Sequence, residues 1–436
     1  MASAYLTRTF GSAGNRQSWT WSGWIKKSKV YNSSDSGYRE VWFGGYTASN
    51  NTDWLEFGTQ GDVLYATSQS INTLSTQVLR DVHGWYHAVV NYNGNNLKFY
   101  INGELWKDST DFSGNLGINV GGTHTIGALA TNQSSRRFTG LMSHVHFVDG
   151  AVLAPTSFGE SDSNGVWKPK PSPSVTYGTN GYFLKMDNSG NMGLDSGGGS
   201  NNFTTSGTIT QAKDTPSNVF ATLNPLATST TSGSFSNGNT THAKSNSTWA
   251  STTSTLAASS GKYYAEYKFT VNSSSSNGQM AAIVNMDLTN YMNENSDLEQ
   301  NGNKGITYYA NGTVFADNQQ TVATYGSYTN NIIQIAMDLD NGFLYFGKDG
   351  VWQNSANPAS GATGTGGINI SSYLGTGTFA FGLANRNTGS TSVNFGNGYF
   401  GTTAVTSAGA NASDNGIFEY DVPTGYTALS TKGLNS

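Results

Sequence analysis

Trp85-Tyr86-His87-Ala88-Val89-Val90-Asn91-Tyr92, the turn Asn93-Gly94-Asn95-Asn96, then Leu97-Lys98-Phe99-Tyr100-Ile101 and Asn102-Gly103 decide the fold of this chain. Two apolar, β-rich runs joined by a short polar turn read as antiparallel strands. Asn-Gly supplies the φ > 0 positions that a tight hairpin needs. The same device recurs at Asn311-Gly312, Asn341-Gly342 and Asp349-Gly350. Near the start, Trp19-Thr20-Trp21-Ser22-Gly23-Trp24-Ile25-Lys26 puts positions 19, 21, 23 and 25 on one face and two hydroxyls on the other, the period of a half-buried strand.

Working outward, further strands are expected at 138–147, 262–269, 305–315, 332–352 and 392–396. The only helical candidates are short, around 154–159 and 287–300. Lys168-Pro169-Lys170-Pro171-Ser172-Pro173 reads as an extended surface connection, because proline removes a ladder donor. From Thr215 through Asn224-Pro225 to Gly238 the chain is Ser/Thr/Asn-rich with little periodicity. The expectation is an all-β protein of two antiparallel β-sandwiches, 1–214 and 239–436, with 215–238 as the junction.

Composition narrows the function. Charged residues make up only 11% of the 436, against about 25% in an ordinary soluble domain, and the net charge is −5. No basic surface is available for a phosphate backbone, so nucleic acid is not an expected partner. The absence of cysteine removes disulfides, zinc-thiolate sites and thiol nucleophiles together. Met1-Ala2-Ser3-Ala4-Tyr5-Leu6-Thr7-Arg8 lacks the basic start and apolar stretch of a secretory signal, and no window approaches the ~20 apolar residues that span a bilayer. A soluble product of a cytoplasm, without membrane insertion, is expected.

Trp85–Val90 and Leu97–Glu104 resemble, nearly residue for residue, paired strands of the laminin-G or concanavalin-like jelly-roll family. Residues 18–26 and 138–147 are similar to its early and late strands. Tyr182–Asp187, Gly193-Leu194-Asp195-Ser196-Gly197 and Asn201-Asn202-Phe203 look like the family's opening strand and turn, displaced to the end of the domain. This implies a permuted sandwich in which 182–210 pairs with the 138–148 region or the N-terminal strands. The second half resembles a SPRY-type sandwich, most specifically in Asp338-Leu339-Asp340-Asn341-Gly342 and Asp349-Gly350-Val351-Trp352. The whole arrangement is similar to virion proteins of marine tailed bacteriophages, chiefly through Asp214-Thr215-Pro216-Ser217-Asn218-Val219-Phe220-Ala221-Thr222-Leu223-Asn224-Pro225 and the ending Pro423–Lys432. That resemblance implies a structural component of a phage particle, on a fibre or the capsid surface. It would be assembled in the host cytoplasm with other virion proteins, as a homo-oligomer, and would meet host-surface glycans through its loops.

Candidate chemistry is sparse. Jelly-roll glycosidases place two carboxylates across a sugar bond, and the Glu-x-Asp at Glu419-Tyr420-Asp421 has no third acid. A non-enzymatic protein is therefore expected, with a glycan-degrading tail enzyme and a purely architectural subunit as alternatives. His144 and His146, two apart on one strand, have a spacing that can hold a transition metal together with His83 or His87. Their neighbours Leu141, Val145 and Phe147 claim the buried face, which leaves both histidines outward or in a groove. Calcium fits the family better, with Asp187, Asn188 and Asp195, or Asp111 and Asp149, as ligands, although the same residues also build turns. For sugar stacking, Trp54, Tyr325 and Tyr328 are the open aromatics, while Trp106 and Trp352 are assigned to core packing.

Overall fold

The computed structural model describes residues 4–31, 37–47, 50–69, 71–163, 165–229, 231, 233–270, 278–289 and 297–435, without the side chains of 50–52. The chain divides into two compact units, Met1–Gln211 and Ala212–Ser436. Each holds two large antiparallel sheets.

In the first unit a seven-stranded sheet runs in the order Thr204–Ser206, Tyr5–Thr9, Thr123–Ile126, Arg39–Thr47, Asn50–Gln60, Val63–Ser68 and Ile71–Val78. Against it lies a six-stranded sheet of Tyr182–Leu184, Gly140–Asp149, Trp19–Lys27, Tyr86–Tyr92, Leu97–Ile101 and Glu104–Ser109. Alternation sends Trp19, Trp21, Ile25, Phe43, Leu55, Phe57, Val90 and Phe147 into one core. The rings pack closely there, with Trp21 stacked on Trp42 at 6.2 Å and edge-on to Phe57 at 5.4 Å. Gly23 shares that strand face because a Cβ there would sit 2.6 Å from the Trp21 indole.

The segment 182–206 closes both sheets. Tyr182 pairs with Phe147 and Leu184 with Val145, while Tyr5 pairs with Ser206. The pairing expected of a permuted sandwich is present. Strand Trp19–Lys27, however, is buried on both faces rather than one. Residues 151–177 cross its outer side, where Thr20 Oγ1 donates to the Ala151 carbonyl and accepts from the Leu153 amide, both at 2.9 Å. Val89, Val148 and Phe158 form a small apolar cluster under this cover. Part of the proline-rich stretch also pairs, since Trp167–Pro169 forms a two-stranded ribbon with Gly159–Ser161.

The second unit repeats the plan. One sheet runs Leu223–Thr228, Ala250–Ser254, Phe379–Asn385, Gln279–Asn285, Gly305–Tyr309, Thr313–Ala316, Gln320–Thr324. The other is centred on Ser390–Asn394, Lys262–Thr270, Ile332–Asp338 and Phe343–Lys348. Tyr267, Phe269, Tyr308, Phe346, Phe381 and Phe395 fill the space between them. The stretch 215–238, expected as a junction, belongs to this unit. Phe220, Ala221 and Leu223 are buried, and Leu223–Thr228 is an edge strand of the first of these sheets. Its polar residues hid a strand that buries only Leu223 and Ala227 and leaves Leu226 exposed.

Two of the four tight turns, Asn102-Gly103 and Asp349-Gly350, have φ > 0 at both residues; at 311–312 and 341–342 only the glycine does. The helical candidate at 154–159 is a single 3-10 turn, Pro155–Ser157. In the other, 290–296 lie outside the described residues and 298–302 are turns. The one α-helix among the described residues is Ile370–Leu374, capped by the Asn369 side chain on the Ser372 amide.

One buried charge pair tests the first unit's packing. Lys27 Nζ lies 2.6 Å from Asp62 Oδ1, with both side chains almost fully buried. Asp62→Ala is expected to cost about 3–5 kcal/mol, since it strands a buried ammonium, whereas replacing both residues with apolar ones of like volume is expected to be near neutral. Urea unfolding of the three proteins measures both values.

Candidate functional site

Because one sheet of the first unit is covered on its outer side, attention falls on the outer face of the other. Leu55 and Phe57 point to the core, so Trp54, Glu56 and Gly58 point away; Phe43 sends Gly44 and Tyr46 the same way, and Leu64 does so for Tyr65. Cross-strand register then assembles the face. Tyr46 stands opposite Trp54, Gly44 opposite Glu56, and Glu56 opposite Thr67. Directly opposed side chains on one face have Cβ atoms about 4.5–5.5 Å apart, so Tyr46 and Trp54 are cross-strand neighbours. Both are half-buried.

Beside the pair lies a charged group. Glu56 is 1% exposed and its Oε1 accepts from Arg136 Nη1 and, at 3.2 Å, from Tyr65 Oη, with Arg39 Nη1 at 3.7 Å. Arg39 rides over the Tyr65 ring at 5.1 Å and reaches Gln60 and Asn72. Burial pushes the Glu56 carboxyl up, and the Arg136 guanidinium pulls against it. Glu56 Oε2 is buried and has no hydrogen-bond partner. Glu56 is the sole carboxylate among the described outward positions of these strands. The sequence pointed to Trp54; Tyr46, Glu56, Arg39 and Arg136 escaped it because only register and a loop bring them together.

The other aromatics fare differently. Tyr328, expected to be open, is 2% exposed, packs on Phe269 and Tyr308, and donates to the Tyr308 carbonyl at 2.7 Å. It is a core residue because the chain after Gln320–Thr324 turns its ring inward. Tyr325 is half-buried, edge-on to Tyr308 at 5.5 Å. Trp106 and Trp352 pack partly against cores.

The calcium candidates do not converge. Asp195 accepts from the Phe183, Gly197 and Asn201 amides at 2.7–2.9 Å, a ring of N–H donors that suits an anion's oxygen and repels a cation. Asp187 and Asn188 are exposed, and Asn188 Oδ1 caps the Gly190 amide. Asp149 likewise gathers the Asn15 and Asn180 amides and the Asn119 side chain, and Asp111 accepts from Ser109. Glu419 and Asp421 lie off any strand and accept from the Thr406 and Ala410 amides. Among the described residues no group of three or more His, Asp or Glu is placed to hold a metal ion.

His144 and His146 both pack on the Phe183 ring, at 6.0 and 4.0 Å. A bulge between Ser143 and His146 puts His144 at φ 49° and breaks the alternation. His146, expected outward, is 1% exposed because residues 151–183 cover it: it stacks on Phe183 at 4.0 Å and bonds Tyr177 Oη at 2.9 Å. His87 lies between Trp24 and Trp167, with Nε2 2.8 Å from Ser22 Oγ. That contact has the spacing of a nucleophile and base, but the tautomer forbids it. Trp167 Nε1–H donates to His87 Nδ1 at 3.0 Å, so the ring proton sits on Nε2 and is given to Ser22.

Residues 2–156 match the family described as the concanavalin A-like lectin/glucanases superfamily. In class the chain is all-β, built of antiparallel sandwiches, the first concanavalin-like. No curated protein matches it. Among solved structures it is similar to the SPRY domain of human HERC1, with 10% identity over 39% of this chain and 96% of that one and a TM-score of 0.31. A heptameric SAP-like pentraxin from Limulus polyphemus gives 17% identity, 35% and 73% coverage and a TM-score of 0.27. Domain 4 of AbnA, a GH43 extracellular arabinanase from Geobacillus stearothermophilus, solved with arabinotriose, gives 19%, 33% and 65%, and 0.26.

Burial lowers His87 from 6.5 to about 3, with His144 adding to the shift. A depressed value stabilises the fold above the unfolded pKa and loses that stability as pH falls through the folded one. The His87 ring is therefore expected to stay neutral, with its proton on Nε2, from pH 7 down to about 4 in a long-range nitrogen–proton NMR titration. Protonation near 6.5 would contradict the buried stack.

Proposed function

We propose that this chain is a non-enzymatic, glycan-recognising component of a tailed-phage particle, binding through the outer face of the first sandwich's seven-stranded sheet. The observation that carries the glycan reading is the Tyr46–Trp54 pair, half-exposed on a polar sheet face next to Arg39, Arg136 and Glu56. Sugar rings present C–H faces to aromatic side chains and hydroxyls to carboxylates and guanidinia, so this mixture matches their chemistry. Gly44 and Gly58 flank Glu56 and add no side chain to the floor. The match to a lectin and glucanase superfamily over residues 2–156 supports the same ligand class.

The carboxylates support binding without turnover. Glycoside hydrolysis needs two, about 5–9.5 Å apart, and the described strand positions of this face supply Glu56 alone. The particle setting rests on the resemblance of residues 214–225 and 423–432 to phage virion proteins. In that setting weak sites gain strength from many copies on one surface, as host adhesion requires.

A glycan array probed with the full chain tests this reading. The wild type is expected to bind a restricted set of saccharides without hydrolysing them. Trp54→Ala and Tyr46→Ala should each weaken binding at least about tenfold, or 1.4 kcal/mol, at unchanged melting temperature. Binding that survives both substitutions, or product release that Glu56→Gln abolishes, would contradict it.

A further inference from the structure

One side chain on the core face of the first sandwich is out of place. In strand Trp19–Lys27, Trp19, Trp21 and Ile25 enter the core, and alternation carries Lys27 to the same side, between the two sheets. Lys27 is 1% exposed. The seven-stranded sheet brings two acids to the same end. Glu40 stands opposite Thr59, which follows core residue Phe57 by two positions, so Glu40 also points inward, 1% exposed. Asp62 sits in the turn that joins Asn50–Gln60 to Val63–Ser68 and is 7% exposed. An amine and two carboxyls therefore share one water-poor corner of an apolar core.

The three groups are held by backbone. Lys27 Nζ donates to Asp62 Oδ1 at 2.6 Å and to the Leu79 carbonyl at 3.1 Å. Asp62 Oδ1 also accepts the Tyr31 amide at 3.1 Å, and the Asp62 carbonyl accepts the Leu79 amide at 2.7 Å. Thr139 brings Glu40 alongside. Its amide donates to Glu40 Oε1 at 3.1 Å, and its carbonyl accepts the amide of Ser28, the neighbour of Lys27, at 3.2 Å. Burial raises the Glu40 carboxyl, and Tyr31, Lys27 and Thr139 pull against it. The second oxygens of both acids, Asp62 Oδ2 and Glu40 Oε2, are buried and have no hydrogen-bond partner among the described residues. Arg80 Nε lies 3.9 Å from Asp62 Oδ2.

Burial works against both charges of such an ion pair. One proton passed from Nζ to Asp62 across the short contact removes both charges at once. What remains is a neutral amine against a carboxylic acid, the two reactants of an amide. The carbon to be attacked lies one bond beyond Oδ1, and fixed contacts of about 3–3.5 Å are those from which such bonds form. The other close lysine–aspartate pair, Lys262 and Asp338 at 2.9 Å, lacks these conditions. The Lys262 side chain is 22% exposed, and both Asp338 oxygens accept from Asn341.

We propose that Lys27 and Asp62 join in an intramolecular amide bond, with Glu40 carrying the proton, and that this modification ties the two sheets of the first sandwich together. The Nζ lone pair attacks Asp62 Cγ and the N–C bond forms. Glu40 takes a proton from the nitrogen and gives it to the departing Oδ1 hydroxyl. The Cγ–Oδ1 bond then breaks, one water leaves, and Oδ2 remains as the amide carbonyl. The Arg80 guanidinium offsets the negative charge that builds on Oδ2 during the attack. No oxidant or cofactor is consumed. In a chain without cysteine, the bond does what a disulfide does elsewhere, closing the loop from 27 to 62. The unfolding costs expected for Asp62→Ala and for the double replacement are those of the ion pair, before the bond forms. The bond is independent of the glycan reading and would stand if that reading fell.

Mass spectrometry of the full chain, purified folded and then denatured, tests the proposal. The wild type is expected to weigh about 18 Da less than its sequence, the mass of one water. Trypsin should release residues 27–29 joined to residues 40–80, because a bonded Lys27 is no longer a cleavage site. Lys27→Arg and Glu40→Gln should each fold and show the full mass. Asp62→Asn keeps the shape and changes only the leaving group, so it should join the same peptides with loss of ammonia, about 17 Da. A wild type of full mass overturns the proposal. So does a loss of water that persists in Lys27→Arg, or one that maps to Asp349-Gly350, where an aspartyl-glycine pair can close into a cyclic imide. A bond that forms undiminished in Glu40→Gln overturns the part given to Glu40.

Discussion

A sheet can bury only two faces, and in the first unit that limit determines where anything can bind. Residues 151–177 use the outer side of the six-stranded sheet for packing, through Thr20, Val89, Val148 and Phe158. Two indoles and two imidazoles, Trp24, Trp167, His87 and His146, are consumed there as stacking partners. Residues that look chemical in a list thus become structural. Among the described residues the seven-stranded sheet carries no such cover over Tyr46 and Trp54, and its outward side keeps a mixture of rings, guanidinia and amides.

Charge is scarce, at 11% of residues, and several carboxylates have a traceable occupation. Asp149 and Asp195 organise turns by accepting backbone amides. Glu266 does the same for the C-terminal segment: it receives the Glu419 and Tyr420 amides, Tyr264 Oη and Asn394 Nδ2, although burial still lifts it to about 7. Glu56 is neutralised by arginines. Asp297 and Glu299 differ in meeting at one phenol oxygen, Tyr309 Oη, so that one of the two acids holds a proton.

Much of the fold was legible because period-two alternation and Asn-Gly turns are local signals. Trp19, Trp21 and Ile25 fell on the core face as read, and 182–184 closed the sheet against 145–147. The failures share a cause: they depended on what covers an element from a distance. Nothing in Thr20-Trp21-Ser22 announces that Ala151 will lie over the hydroxyls. Tyr328 looks like a loop aromatic until the Phe269 ring is placed beside it. The bulge between Ser143 and His146 is likewise something a regular pattern cannot show. Strand Leu223–Thr228 hid in a polar stretch because an edge strand needs few apolar residues to hold it.

The site was harder still, for a reason visible in Glu56. Its neighbours on the face come from positions 39, 46, 54, 65 and 136, which share no motif and meet only through register and the return of one loop. A hydrolase must place two acids on either side of a bond, and that demand leaves a short pattern on one strand. Adhesion demands only a surface of suitable composition, which any of several strands can supply in any order. A binding face of the proposed kind would leave little trace in sequence, and Trp54 is the one member of it that sequence reasoning singled out, because an indole among polar residues is costly to expose without use.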